Sequence, residues 1–327
     1  MDLARVEFFL TETDRHLVGI QTMIPLLREI KDELQQIRTQ MFANHELHNL
    51  TRKIEELINP QSDDYEEKYS MLMSVIEDWP RAINPDLICQ KDSEPDKEYR
   101  AESIVEFVIT DYLKDMRFLD FGCGEGHVVA AAAAAGASKA VGFDLRSQGW
   151  DRFDQNENFF LTTEYTYWDN GPYDVILLFD VLDHIENADP VEILTNMSNL
   201  LAPEGKIYLH CHPWCSRHGT HLYENGFNRA FAHLVMDEVE LVRLGGYNNM
   251  NTLPITQPVN TYRKWINDAG LKMVSEQINE EKVEDFFFND QNIWNRIHAK
   301  WDGDDPTEHL KVSSVDYVLT SNTAQVF

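Results

Sequence analysis

The sequence predicts an α/β domain with a largely parallel sheet, preceded by a helical N-terminal extension. From about residue 99 to 327, short apolar runs typical of buried strands alternate with helical patterns. Before residue 60, apolar residues recur at steps of three and four, as on a helix with one buried face. A glycine-rich turn after the first strand and an acid at the end of the second indicate where a ligand would bind.

Length and charge narrow the classes of function. The chain has 327 residues, which suggests about two domains, and 56 acidic against 28 basic residues give a net charge of −28. Such a field repels phosphate backbones and anionic membranes, so we expect no general nucleic-acid binding and no membrane association. The absence of a signal-peptide pattern, of a long apolar run and of a disulfide framework predicts a cytoplasmic protein.

The chain is predicted to fall into three stretches. Residues 1–60 form a helical segment with apolar stripes from Leu27 to Met41 and from Leu47 to Leu57. These stripes either pack on the same chain or mediate self-association or protein assembly through residues 15–60. Residues 61–98 are an acidic connector with one short helix from Tyr69 to Trp79. Residues 99–327 form the main domain.

Seven strands and several helices are predicted within that domain. The first helix is expected to run from Ala101 to Lys114, and later helices over 128–135 and 191–201, with a short one between 283 and 305. The alternation of apolar runs and turns places the strands, in order, at 117–121, 140–144, 158–162, 173–180, 205–210, 271–277 and 312–320.

The turn after the first strand carries the first chemical signal. The glycines of residues 122–126 let the main chain approach a ligand, and the next helix begins with unpaired N–H groups. Asp144 ends the second strand, where a carboxylate can accept both hydroxyls of a ribose. The spacing G-x-G-x-G and the acid Asp120 depart from a dinucleotide fingerprint, because a carboxylate would repel a pyrophosphate. Asp120 suits a cationic amine instead.

Four segments in order resemble the class I S-adenosylmethionine-dependent methyltransferases. Residues 119–127, LDFGCGEGH, are similar to motif I of that family, and 141–145, VGFDL, to its acidic second-strand motif. Residues 173–185 resemble its fourth-strand block, and 200–206 resemble the turn before its fifth strand. The resemblance implies a seven-stranded Rossmann-like methyltransferase sheet and S-adenosyl-L-methionine as cofactor.

The resemblance also implies roles for individual positions. Asp120 and the turn residues Gly122, Cys123, Gly124 and Gly126 would hold the methionine part of the cofactor. The other expected contacts are Asp144 with the ribose, Leu145 with the adenine and Asp180 near the methyl-bearing sulfur. Asp183 departs from the family pattern, which usually has Glu at this position.

A second cluster of reactive residues follows the fifth strand. Residues 210–221 contain four histidines, and an insertion over about 212–268 is predicted to form a cap over the substrate. A metal site using Cys211, Cys215 and His218, a general base and a purely structural role are all compatible with the pattern. We assign no metal and take as candidate catalytic residues His212, His218 and His221.

These features predict methyl transfer to a small-molecule or protein acceptor. Methyl transfer from a sulfonium needs mainly alignment, with a base only where the acceptor is protonated. The alternative is a methyltransferase-fold assembly subunit, such as one of a bacteriophage particle, that docks through its N-terminal helices.

Overall fold

The computed structural model describes residues 63–84, 93–109, 112–185, 188–237, 240–241, 244, 256–301 and 305–322. The predicted N-terminal helices, including the proposed docking segment 15–60, lie outside these residues. The chain divides into two compact units, Met1–Leu72 and Met73–Phe327, and the sheet belongs to the second. None of the helices in the described ranges is long and apolar enough to span a bilayer.

The second unit is built on one seven-stranded sheet in the order β3-β2-β1-β4-β5-β7-β6. Strands β1 to β5 run parallel, and β7 pairs antiparallel with both β5 and β6. This confirms the predicted fold class. The strands are β1 (Arg117–Phe121), β2 (Lys139–Phe143), β3 (Phe159–Thr162), β4 (Tyr173–Phe179), β5 (Leu201–Cys211), β6 (Leu271–Glu280) and β7 (Val312–Ser321).

Helices cover the sheet on both sides. Successive side chains of a strand point to opposite faces, and accordingly Leu119 joins one buried hydrophobic cluster while Phe118 joins the other. The described helices are α1 (Asp63–Val75), α2 (Glu94–Ser103), α3 (His127–Ala134), α4 (Pro190–Asn199), α5 (Ala232–Val235), α6 (Val259–Asp268), α7 (Asp285–Asn289) and α8 (Gln291–Lys300).

The predicted bounds of the first two helices were wrong. The helix expected from Ala101 begins at Glu94, because Ser93 caps it by accepting a hydrogen bond from the Asp96 N–H and Pro95 occupies its first turn. It continues as a π-helical turn, Ile104–Val108. The connector helix expected at 69–79 is α1, Asp63–Val75.

The residues after α1 are tied to the predicted cap. Trp79 is 3% exposed and donates a hydrogen bond from Nε1 to the carbonyl of Ala230, at 2.8 Å. Its ring lies 5.4 Å from that of Phe286 and 6.1 Å from that of Phe287, centroid to centroid. This part of the predicted connector is therefore integral to the folded unit.

Candidate functional site

A cavity of about 580 Å³ opens at the carboxyl ends of β1 and β4. Five of the eight predicted cofactor-binding residues line it: Asp120, Gly122, Cys123, Gly124 and Asp180. The other three lie close by, since Gly126 ends the same turn, Asp144 is hydrogen-bonded to Gly124 and Leu145, 78% exposed, follows Asp144.

The turn after β1 requires glycine at its critical positions. Gly122 has φ +85°, and a Cβ there would lie 2.5 Å from Cγ2 of Val181. Gly124 has φ +51°, and a Cβ there would enter open space. A left-handed backbone favours glycine at both positions, and the second presents bare main chain to the cavity.

Asp144 and Trp150 hold this turn from the side of β2. Asp144 Oδ2 accepts a hydrogen bond from the Gly124 N–H at 2.9 Å, and its Oδ1 accepts one from the Arg146 N–H at 3.0 Å. The buried Trp150 donates from Nε1 to the Gly124 carbonyl at 2.8 Å. Sequence reasoning missed Trp150, for which only a tryptophan shortly after the second strand offered a signal.

Asp120 contributes a buried carboxyl group to the cavity. The side chain is 3% exposed, and burial, with the neighbouring charge of Asp144, raises its pKa to about 7. Such a group gains from a cationic partner, because a nearby positive charge favours the ionised form.

Helix α2 forms a wall of the cavity that sequence reasoning also missed. Lys97 donates to both carboxylate oxygens of Glu125, at 2.9 and 3.0 Å. Arg100 lies 3.3 Å from Asp180 Oδ2, with its guanidinium carbon 5.5 Å from the centroid of the Phe179 ring. The spacing of Lys97 and Arg100 on one helix face was the available signal.

The three predicted catalytic histidines come together beyond β5. One ring nitrogen from each of His212, His218 and His221 lies within 4.8 Å of the others. The ring centroids are 4.6 Å apart for His212 and His218, 5.7 Å for His212 and His221, and 5.6 Å for His218 and His221. We call these three residues the histidine cluster.

Asp180 joins the histidine cluster to the cavity. Its Oδ1 lies 3.5 Å from Nε2 of His210 and 3.5 Å from Nε2 of His212. His210 bonds through Nδ1 to Asp316 at 2.6 Å. Burial lowers the pKa of His210, but this bond and the charges of Asp180 and Asp316 outweigh it and raise that pKa overall.

The cysteines lie apart from this arrangement. Cys211 is fully buried with its Sγ directed at the Val315 carbonyl, 3.9 Å away, and Cys215 is 2% exposed. Burial raises the pKa of both thiols. In the described part of the chain, the groups of potential metal ligands consist of histidines and acids. They include neither Cys211 nor Cys215. The ligand set Cys211, Cys215 and His218 considered from the sequence was therefore wrong.

These features define a Rossmann-like α/β protein with a ligand cavity at the carboxyl edge of its sheet. Residues 95–276 match the family model described as "Methyltransferase domain". The match spans more than half of the chain, and the chain therefore belongs to the methyltransferase-domain family.

The chain is also similar to solved structures. A putative S-adenosylmethionine-dependent methyltransferase from Listeria monocytogenes is 16% identical with a TM-score of 0.45, covering 69% of this chain and 100% of its own. A 1,6-didemethyltoxoflavin-N1-methyltransferase from Burkholderia thailandensis is 14% identical with a TM-score of 0.42, covering 80% and 90% respectively. A search of curated proteins gave no match.

The residues present fit S-adenosyl-L-methionine. The bare main chain at Gly124 leaves room for a ligand, and the buried Asp120 carboxyl suits a cationic amine. Asp144 stands at the end of β2, where an acid can accept ribose hydroxyls. A pyrophosphate fits less well, because the Asp120 carboxylate beside the turn would repel it.

Proposed function

We propose that this methyltransferase transfers the methyl group of S-adenosyl-L-methionine to a small-molecule or protein acceptor bound at the histidine cluster. The observation that carries the proposal is the position of Asp180, which lines the cofactor cavity and lies 3.5 Å from His212. The predicted cofactor-binding and catalytic residues therefore share one edge of the sheet. The net charge of −28 disfavours a nucleic-acid acceptor.

The cofactor supplies an activated methyl group on a positively charged sulfur. Asp120 would bind the amine of its methionine part, Asp144 would bind the ribose and Leu145 would contact the adenine. The backbone of the turn would also contact the methionine part, through Gly122, Cys123, Gly124 and Gly126. Asp180, next to the histidine cluster, would face the reacting end. Catalysis then depends on alignment and on excluding water.

The histidine cluster would activate the acceptor. An oxygen, nitrogen or sulfur acceptor that carries a proton must lose it to become a good nucleophile, and a neutral imidazole is a suitable base near pH 7. His212 and His218 are half-buried, and the buried His221 completes the group. The alternative function as an assembly subunit depends on residues 15–60, and no observation on the described residues favours it.

The experiment that tests the proposed cofactor site compares two acids. Asp144→Ala removes a carboxylate whose charge-assisted hydrogen bonds are each worth about 1.5–3 kcal/mol, so we expect the affinity for S-adenosyl-L-methionine to fall at least about tenfold. Asp154→Ala removes an exposed acid outside the cavity and should leave the affinity unchanged. Isothermal calorimetry measures both, and undiminished binding by Asp144→Ala would refute the assignment.

A further inference from the structure

The histidine cluster has the composition of a metal site. Imidazole nitrogens are common ligands of Zn²⁺, and a site of three histidines leaves a fourth position open for another ligand. The nitrogens of His212, His218 and His221 all lie within 4.8 Å of one another. Two nitrogens bound to one tetrahedral zinc ion are about 3.4 Å apart. Small side-chain rotations would therefore bring the three nitrogens to the spacing that a zinc ion requires.

One hydrogen bond already sets the correct tautomer of His212. Its Nδ1 lies 2.9 Å from the carbonyl oxygen of Ser313. A carbonyl can only accept, so Nδ1 carries the proton and the lone pair is on Nε2. Metal-binding histidines typically make this kind of bond through the nitrogen that does not touch the metal. The free lone pair faces the side of Asp180, whose Oδ1 is 3.5 Å away.

Buried acids beside the cluster provide an independent reason for a cation. Asp183 is fully buried, and among the described residues neither of its oxygens has a hydrogen-bond donor. It interacts electrostatically with Asp180, His184 and His212. A buried carboxylate without donors is costly unless a positive charge is near, and a divalent ion on the histidine cluster would supply that charge.

The two other convergent groups of ligand atoms are less suitable. In the group of Asp180, His210 and His212, Asp180 is already paired with Arg100 and His210 is already paired with Asp316. In the group of Glu94, Glu125 and His127, the acids are already paired with the cations Lys97 and Arg152.

We propose that His212, His218 and His221 bind one Zn²⁺ ion next to the methyl-donor cavity. The sequence predicts no metal for this chain, and the one ligand set that its pattern suggested includes two cysteines that do not converge with these histidines. The proposed site needs no cysteine and uses all three histidines that the sequence marked as catalytic.

The use of this ion in catalysis rests on the proposed function. A hydroxyl or thiol of the acceptor at the fourth position would lose its proton to water more readily, as water bound to zinc does. The acceptor atom would then form a bond to the methyl carbon while the bond from carbon to sulfur breaks and its electron pair returns to sulfur. The three imidazoles would act together through the ion instead of one of them acting as a base.

The test measures zinc binding directly on the full chain, purified without a histidine tag and treated with a chelator. Calorimetric titration with ZnCl₂ should give one ion per chain with submicromolar affinity, and Co²⁺ should give the visible absorption of a tetrahedral nitrogen site. His218→Gln removes one half-buried ligand and should weaken zinc binding more than about 100-fold, beyond the cost of losing an outer-shell contact. His298→Gln, at an exposed histidine on α8, is the matched control and should bind zinc normally.

Binding of S-adenosyl-L-methionine, measured on the same samples, separates this inference from the proposed function. His218→Gln should retain cofactor affinity within about threefold, which also shows that the variant is folded. If the wild-type chain binds the cofactor but no zinc, or if His218→Gln binds zinc as tightly as wild type does, the zinc site is overturned while the proposed function stands. Failure of the wild-type chain to bind the cofactor would contradict the proposed function alone.

Discussion

Asp120, the last residue but one of β1, places at the cavity a carboxyl group that is 3% exposed. Burial, and after it the charge of Asp144, raises its pKa to about 7. In the free protein this group is therefore mostly protonated below pH 7. Binding a cationic amine requires the ionised form, so cofactor binding and the proton on Asp120 oppose each other.

This competition predicts a pH dependence of cofactor affinity. From pH 6 to pH 7 the ionised fraction of Asp120 rises from about one in eleven to one in two, while the amine stays cationic because its ordinary pKa is near 7.7. We expect the affinity for S-adenosyl-L-methionine to be about fivefold higher at pH 7. Calorimetry at the two pH values measures it, and Asp120→Asn should bind more weakly with no such dependence. An affinity that falls over this range would contradict the role of Asp120.

Individual residues of the site could be predicted where they lie close to one another in the sequence. Asp120, the glycine turn and Asp144 follow one another at the ends of two adjacent strands, so the sequence alone suggested their proximity. Two other contacts depend on the three-dimensional positions of loops. They are the hydrogen bond from Trp150 to the Gly124 carbonyl and the approach of Asp180 to His212. No periodicity or spacing signals such contacts.

At the scale of elements, strands were easier to predict than helix ends. All seven strands are found near their predicted positions. The parallel strands β1, β2 and β4 were marked by largely apolar runs, as is typical of buried parallel strands. Helix α2 begins seven residues before the predicted helix, since its first turns are polar and depend on the cap at Ser93. The polar face of α2 lines the cavity, so the pattern of apolar residues could not reveal where this helix begins.

The attachment of the segment around Trp79 to the cap region can be tested at this scale. Trp79→Ala removes a buried ring that packs on Phe286 and Phe287, and burial losses of this kind cost about 3–5 kcal/mol. Trp79→Phe keeps an aromatic ring and loses the bond to the Ala230 carbonyl, which is worth about 1 kcal/mol. Chemical denaturation measures both changes in the free energy of unfolding. Equal stability of Trp79→Ala and wild type would show that the segment is not held as described.

For the molecule as a whole, charge is the dominant property. The net charge of −28 predicts no strong binding to nucleic acid of random sequence at physiological salt. Fluorescence anisotropy with a labelled random duplex should show no binding at micromolar protein. Submicromolar binding would reveal a local basic groove that the overall charge conceals.

The whole-molecule organisation was predictable only in part from the sequence. The ordered motifs from residue 119 to 206 predicted the seven-stranded methyltransferase sheet, because each motif is tied to one turn of that fold. The grouping of His212, His218 and His221 as potential metal ligands was not predicted, since the order Cys211, Cys215, His218 suggested a different ligand set, whose ligand atoms do not converge. The prediction that residues 15–60 contact another chain or the catalytic domain stays a prediction.

We propose that the cavity at the ends of β1 and β4 holds S-adenosyl-L-methionine. The most direct measurement is native mass spectrometry of the purified wild-type chain, as isolated and after addition of S-adenosyl-L-methionine. One bound S-adenosyl-L-methionine or S-adenosylhomocysteine per chain is the predicted result, with the bound fraction reduced in Asp144→Ala. A chain that carries neither molecule and takes up none at millimolar concentration would contradict the claim.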